Sequence, residues 1–307
     1  MNQRMINPKV SVLIPAHNEE KNIGHLLQAV LRQCFSGVEL VEVLVCSDDS
    51  TDHTVVAAKQ VVDSRLRVIE NKVRLGANAT QNVLLRQAKG DILILLNADI
   101  DFAHEACLMQ LVQPLLEDAA IGITAAKLEN MPIRGFFESI LESGQKFRQG
   151  LFELVDPDGD TLYLCNGRAR AFSRWFADQL VWPDQCPEDS YSYLFCQLRG
   201  FKFRFVPESR VLFRLPNSWS DHVKQSHRYA VGKKILERLF REREVLTAYT
   251  LPLSLVMQQS THMFLRAPLK FPLYLLVVFA VRFSHIGRDS EQSRWELSQS
   301  SKQLYDL

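Results

Sequence analysis

Asp91-Ile92-Leu93-Ile94-Leu95-Leu96-Asn97-Ala98-Asp99-Ile100-Asp101 is a nearly unbroken apolar run that ends in an acidic cluster. Six residues of this kind make a central strand buried on both faces, the type found in parallel sheets. A second stretch repeats the pattern: Val41–Cys46 is strand-like, and Ser47-Asp48-Asp49-Ser50-Thr51-Asp52 follows it. In an open parallel sheet, ligands lie beyond the carboxyl ends of the strands. Acids at that place repel a bare phosphate, so a metal ion has to stand between them. A metal-bridged nucleotide diphosphate fits this arrangement.

On either side of these stretches, strands alternate with helices. Val10–Pro15 is a short apolar strand, and Glu19–Gln33 carries Ile23, Leu26, Leu27, Val30 and Leu31 at helical spacing. Leu40–Cys46 and Leu66–Glu70 are strands. Asp52–Val62 is a helix capped by Ser50 or Thr51. Ala77–Ala88 and Glu105–Leu116 are helices, and Ile121–Lys127 is a strand. The alternation predicts an α/β fold with a doubly wound, mostly parallel sheet over roughly the first 130 residues. Beyond Asn130 the spacing predicts helices over Phe136–Leu151 and Ser190–Leu198. It predicts short strands over Leu162–Cys165, Ala169–Ser173 and Phe203–Val206. His222–Glu244 reads as a helix with seven Lys or Arg against three Glu, followed by an apolar zone from Val245 to Phe283 and a polar tail from Gly287.

A chain of 307 residues, 47% hydrophobic and 23% charged, has room for a sizeable core. The net charge of +1 provides no global field for nucleic acid. Cys34, Cys46, Cys107, Cys165, Cys186 and Cys196 are scattered, with no C-x-x-C pair. That spacing speaks against structural zinc or a disulfide framework and for a reducing, cytoplasmic setting. Met1–Lys9 carries no apolar signal-peptide stretch.

Taken in order, the motifs resemble family 2 glycosyltransferases, inverting GT-A enzymes that use nucleotide-sugar donors. Val10–Glu20 is similar to their opening strand and turn, and Ser47–Asp52 to their second-strand acidic turn. Gly76–Asn82 with Ala88–Asp91 resembles the segment before their D-x-D site, onto which Asn97-Ala98-Asp99 falls. Asn166–Phe172 resembles the acceptor-side segment, Glu188-Asp189 the E-D motif, and Gln225–Tyr229 the Q-x-x-R-W motif of processive members. The resemblance covers about residues 9–230. It implies a GT-A catalytic domain over 1–220, with a nucleotide-binding half over 9–130 and an acceptor half over 131–220. Residues 221–307 form a helical C-terminal region.

The resemblance also implies roles. Asp99, helped by Asp101, would hold a divalent cation, Mg²⁺ or Mn²⁺, although Asn97 stands where the family carries an acid. Magnesium takes only one or two protein carboxylates and fills the rest with phosphate oxygens and water. Pro15, Ala16, Glu19, Asp48, Arg74, Asn97 and Ala98 would line the site of a UDP- or GDP-sugar. Ser47 replaces another family acid, and Phe213 falls near a metal-binding His of some members. Asp189 would be the general base, oriented by Glu188. Gly167, Gln225, Arg228 and Tyr229 would face the acceptor and diphosphate, with Tyr229 in the place of Trp. Several of these residues also have plainer readings. Asp99 and Asp101 fit a solvated turn, Glu19 a first-turn helix acid, Arg74 an exposed loop, and Glu188-Asp189 a helix start. A catalytically silent relative that binds nucleotide sugar is the rival from another class.

The C-terminal zone is the last expectation. Phe271–Val281 is too short to span a bilayer. With the basic helix before it, the zone reads either as a peripheral surface on the cytoplasmic face of a membrane, suited to a glycan or lipid-linked acceptor, or as a helical subdomain packed on the core.

Overall fold

The computed structural model describes residues 7–156, 158–284 and 304; the tail from Gly287 lies outside them apart from Leu304. Its first part alternates as expected: β1 (Lys9–Ala16), α1 (Ile23–Leu31), β2 (Glu39–Asp48), α2 (Thr54–Lys59), β3 (Leu66–Asn71), α3 (Ala77–Gln87) and β4 (Ile92–Leu96). β1 runs parallel to β2 and β4, and β2 parallel to β3. All of β4 is buried. Successive strand residues point to opposite faces, and the core divides accordingly. Ile92, Ile94 and Leu96 join Val12, Ile14, Leu26 and Leu108 on one side. Leu93 and Leu95 join Leu13, Leu44, Phe172 and Trp182 on the other.

The next elements are β5 (Asp101–Phe102), α4 (Cys107–Glu117), β6 (Ile121–Asn130), α5 (Phe136–Val155), β7 (Ala169–Ser173), α6 (Arg174–Ala177), α7 (Glu188–Leu198) and β8 (Lys202–Phe213). The eight strands lie in the order β3-β2-β1-β4-β7-β6-β8-β5. β7 inserts antiparallel between β4 and β6, so the parallel run ends at β4. The structure therefore has the GT-A arrangement, a mostly parallel sheet flanked by helices. Four local expectations change. Leu162–Leu164 is a single 3₁₀ turn rather than a strand. The Asp52 carboxylate, not Ser50 or Thr51, accepts the Thr54 N–H (2.9 Å) at the start of α2. β8 runs well past Val206, with its pairing to β6 jumping from Val206 to Arg210. Pro207 has no N–H to give a ladder, so the chain bulges there. The basic helix is two helices, α8 (Trp219–Leu239) and α9 (Glu242–Tyr249), with extended backbone at Phe240 and Arg241.

The chain continues into α10 (Leu253–Arg266) and α11 (Lys270–Ser284). Both pack on α5: Ile140, Met263, Phe271 and Tyr274 form a small core of their own. Gly144 makes the close approach possible, because a Cβ there would sit 2.1 Å from the Tyr274 ring. The Tyr274 hydroxyl lies 2.6 Å from Arg148 Nη1, which donates to it. Among the described residues no helix is long and apolar enough to cross a membrane.

Candidate functional site

The carboxyl ends of β1, β2 and β4 meet at one edge of the sheet, and most of the predicted residues sit there. Pro15 and Ala16 end β1, paired with Cys46 and Ser47. Glu19 is buried in the turn before α1, where its carboxylate accepts from Asn22 Nδ2 (2.9 Å). Asp48 ends β2. Its Oδ1 accepts from Leu75 N–H (2.8 Å) and Asn71 Nδ2 (3.1 Å), and its Oδ2 from Gly76 N–H (2.8 Å). Burial pushes this carboxyl up, but donors from Leu75, Asn71, Gly76 and Thr80 outweigh it and hold the group below the usual carboxylate range. Asp48 thus stays ionised and clasps the loop that carries the exposed Arg74. Gly76, with φ of 92°, supplies the backbone turn that the clasp needs.

Asn97, Ala98 and Asp99 follow β4. Asp99 Oδ2 lies 2.9 Å from Arg168 Nη1, and both side chains are only 15% exposed. The Arg168 guanidinium in turn lies over the face of Phe213, 4.5 Å from the ring centroid. Asp101 is committed elsewhere. It starts β5, its Oδ1 accepts from Phe102 N–H (2.8 Å), and its Oδ2 lies 3.3 Å from His25 Nε2. Among the described residues no group of three or more His, Cys, Asp or Glu converges on one point. By sequence the donors at this place are the Asp99 carboxylate and the Asn97 amide, a set that suits a cation bringing most of its ligands with it on a diphosphate.

Glu188 and Asp189 open α7, in its first turn. Ser190 N–H donates to Asp189 Oδ1 (2.6 Å), and Tyr249 donates its hydroxyl to Ser190 Oγ (3.2 Å). Burial, with Asp189 nearby, pushes the Tyr249 hydroxyl up to about 12, so it stays a neutral donor. Beneath this turn Arg170, fully buried in β7, donates Nη1 to the Glu188 carbonyl (3.0 Å) and to Ser192 Oγ (2.9 Å). Trp182 Nε1 donates to the same two oxygens, at 3.0 Å and 2.9 Å. None of Arg168, Arg170, Trp182 or Tyr249 stood out as a site residue in the sequence.

Segment 165–168 joins the two halves of the site. A Cβ on Gly167 would lie 2.7 Å from Glu188 Oε1 and 3.8 Å from Asp189 Cβ. The next residue, Arg168, holds Asp99. Adjacent residues of one segment therefore border the Glu188-Asp189 turn and reach Asp99. Gln225 and Tyr229 lie in α8, which packs through Gly232 against Pro187, the cap of α7. Tyr229 is 68% exposed; the Arg228 side chain lies outside the described residues. A separate cavity of about 520 Å³, lined by Glu117, Asp156, Arg204 and Glu208 among others, includes none of these residues.

The sequence matches the profile described as Glycosyl transferase family 2 over residues 11–178, and that described as Glycosyl transferase family group 2 over residues 167–286. One relative is the UDP-Glc:alpha-D-GlcNAc-diphosphoundecaprenol beta-1,3-glucosyltransferase WfgD of Escherichia coli. It is 34% identical over 90 residues, which are 29% of this chain and 34% of that one. Another is the dolichol-phosphate mannosyltransferase of Pyrococcus furiosus, 28% identical over 142 residues, 44% of this chain and 39% of that one. The aligned part spans about a third of the length of the first curated relatives. Among solved structures, the mannosyltransferase PcManGT of Pyrobaculum calidifontis, in complex with GDP-Man and Mn²⁺, superposes with a TM-score of 0.60 at 19% identity. That match covers 93% of this chain and 77% of that one. S. aureus TarS 1-349 with UDP-GlcNAc gives 0.57 at 17% identity, covering 93% and 76%. These likenesses show a shared fold.

Proposed function

The chain belongs to glycosyl transferase family 2, and on that footing we propose that it transfers a hexosyl group from a UDP- or GDP-sugar to a hydroxyl acceptor with inversion at the anomeric carbon. The acceptor O–H attacks that carbon from the face opposite the diphosphate. The new C–O bond forms as the bond to the phosphate oxygen breaks, the electron pair leaves with the diphosphate, and the acceptor proton passes to Asp189. The observation that supports this reading is that adjacent residues border both groups: Gly167 lies against the Glu188-Asp189 turn, and the Arg168 guanidinium pairs with Asp99. Asp189 suits the base role: Ser190 occupies its Oδ1, and Oδ2 has no hydrogen bond to a described residue. A base has to be within hydrogen-bond reach of the proton it takes. A divalent cation, as Mn²⁺ is in the PcManGT complex, would supply Lewis-acid stabilisation of the leaving diphosphate. Asp99 and Asn97 are the residues that would hold it. Asp48 keeps the loop 71–76 closed beside the nucleoside.

A thermal-shift series of UDP- and GDP-sugars, with and without Mg²⁺ or Mn²⁺, tests the donor assignment. A ligand at 100 times its dissociation constant adds about 2.7 kcal/mol to the native state, so the true donor class raises the melting temperature. A flat response to every donor favours the silent-relative alternative.

The acceptor side of the proposal is a lipid surface. α10, α11 and the turn between them expose Leu265, Leu269, Leu276, Phe279 and Phe283. No Asp or Glu occurs between Glu244 and Asp289, while Arg266, Lys270 and Arg282 punctuate the apolar stretch. Apolar side chains with flanking cations suit the interface of an anionic bilayer. Vesicles of phosphatidylcholine with phosphatidylglycerol should sediment the protein, pure phosphatidylcholine much less, and L276E/F279E should abolish the difference. Equal sedimentation of the wild type and the double variant removes the lipid surface from the proposal.

A further inference from the structure

We propose that Arg168 is the protein's own cation for the donor diphosphate, so that a nucleoside diphosphate binds without a metal ion and a divalent cation only strengthens it; this rests on the donor reading above. The guanidinium stands at Asp99, where a metal would be sought. Its surroundings are built to keep a cation there. The Phe213 ring lies under it at 4.5 Å, offering the negative face of an aromatic ring. Asn166 Oδ1 accepts the Arg168 backbone N–H (3.0 Å), while Asn166 Nδ2 is anchored on the Ala126 carbonyl (2.7 Å). The Arg168 carbonyl accepts the Asn97 N–H (2.9 Å), which ties both segments together at this point. The side chain is therefore held from below by a ring and along its backbone by two hydrogen bonds.

The charge balance leads the same way. At Asp99 itself the −1 of the carboxylate is matched by the +1 of Arg168, and the carboxylates of Glu188 and Asp189 lie on the other side of Gly167. A free divalent cation finds the Asp99 carboxylate already paired with a guanidinium. An arriving diphosphate meets a planar fork with five N–H donors, of which Asp99 takes one through Nη1. Nε and Nη2 have no hydrogen bond to a described residue. A guanidinium grips two phosphate oxygens at once, which a lysine in its place cannot do. Asp99 then acts first as the aligning partner of Arg168 and only second as a metal ligand.

Calorimetric titration of the full chain with UDP and GDP, in EDTA and in Mn²⁺, tests this directly. The wild type should bind one of them in EDTA. R168Q should lose about 10- to 100-fold in EDTA, the range set by a charge-assisted hydrogen bond, and become dependent on Mn²⁺. R168K, which keeps the charge but loses the fork, should fall between them. Melting temperatures show whether each variant is folded, and the wild-type titration in EDTA decides the matter even if R168Q is not. Wild-type binding seen only with Mn²⁺, or equal affinity of wild type and R168Q in EDTA, overturns the role of Arg168 and leaves the donor reading standing. No binding of either nucleotide under any condition takes the donor reading down as well.

Discussion

Asp189→Asn will lower the turnover number by about 10²- to 10⁴-fold, the contribution of a positioned general base, and leave nucleoside diphosphate affinity unchanged. The substitution is nearly isosteric. An Asn at the first turn of α7 can still accept the Ser190 N–H that now donates to Asp189 Oδ1, so the loop keeps its shape. What disappears is the ability to take a proton. Steady-state kinetics with the donor found by thermal shift, together with calorimetry of the released nucleotide, separate the two effects: the loss belongs in kcat and not in binding. Glu188→Gln is the control. Its carboxylate touches the space above Gly167, so its loss disturbs orientation and costs less than the loss of the base. Wild-type turnover in Asp189→Asn removes Asp189 from the base role, and a larger loss in Glu188→Gln transfers the role to Glu188.

The part of this site written in local sequence was legible, and the part made by long-range pairing was not. Asp91–Leu96 announces a central strand because every residue of β4 has a buried environment to satisfy, and apolar identity records that. Asp48 was marked by its place after a strand. That Leu75 and Gly76 are its partners was not, because they act through backbone N–H groups that any sequence carries. Arg168 was read as part of an acceptor segment. Its pairing with Asp99, 69 residues away, follows from β7 entering antiparallel beside β4. That insertion has little local signature, since Ala169-Arg170-Ala171-Phe172 is short and places a fully buried arginine in a strand. The carbonyl of Glu188 and the hydroxyl of Ser192, brought in by α7, and the rings of Phe172 and Trp182 make Arg170 tolerable there. Asp101 was grouped with Asp99 by proximity in sequence, yet it turns to His25 because β5 pairs with the far end of the sheet at β8.

Glu138→Ala will destabilise the protein by about 3–5 kcal/mol, the cost of stripping one partner from a buried ion pair. Arg214 Nη1 lies 3.2 Å from Glu138 Oε1, with the side chains 4% and 2% exposed. Glu138 Oε2 also accepts the Arg134 N–H (2.6 Å), so one carboxylate holds both the loop before α5 and the chain leaving β8. Removing it leaves a guanidinium without water or counter-charge, retaining the carbonyls of Pro132 and Leu304 as acceptors. Urea unfolding of the variant should show the loss as a lower midpoint with an unchanged slope. The double variant E138L/R214L should recover most of it, because replacing both charges with apolar groups of similar size is often close to neutral. That recovery separates an uncompensated charge from a simple cavity, which the double variant would not mend to the same degree. The corner matters for activity as well. Arg214 follows Phe213, the ring beneath Arg168, and Phe213 is fixed by its pairing with Asn130 and by the Met131 N–H on its carbonyl (2.9 Å). Loosening Arg214 therefore loosens the support of the guanidinium, and Glu138→Ala should weaken nucleoside diphosphate binding in EDTA at temperatures where it is still folded. An unfolding free energy within about 0.5 kcal/mol of wild type, the range of an ordinary surface substitution, would show that the pair is not sealed from solvent as the structure has it.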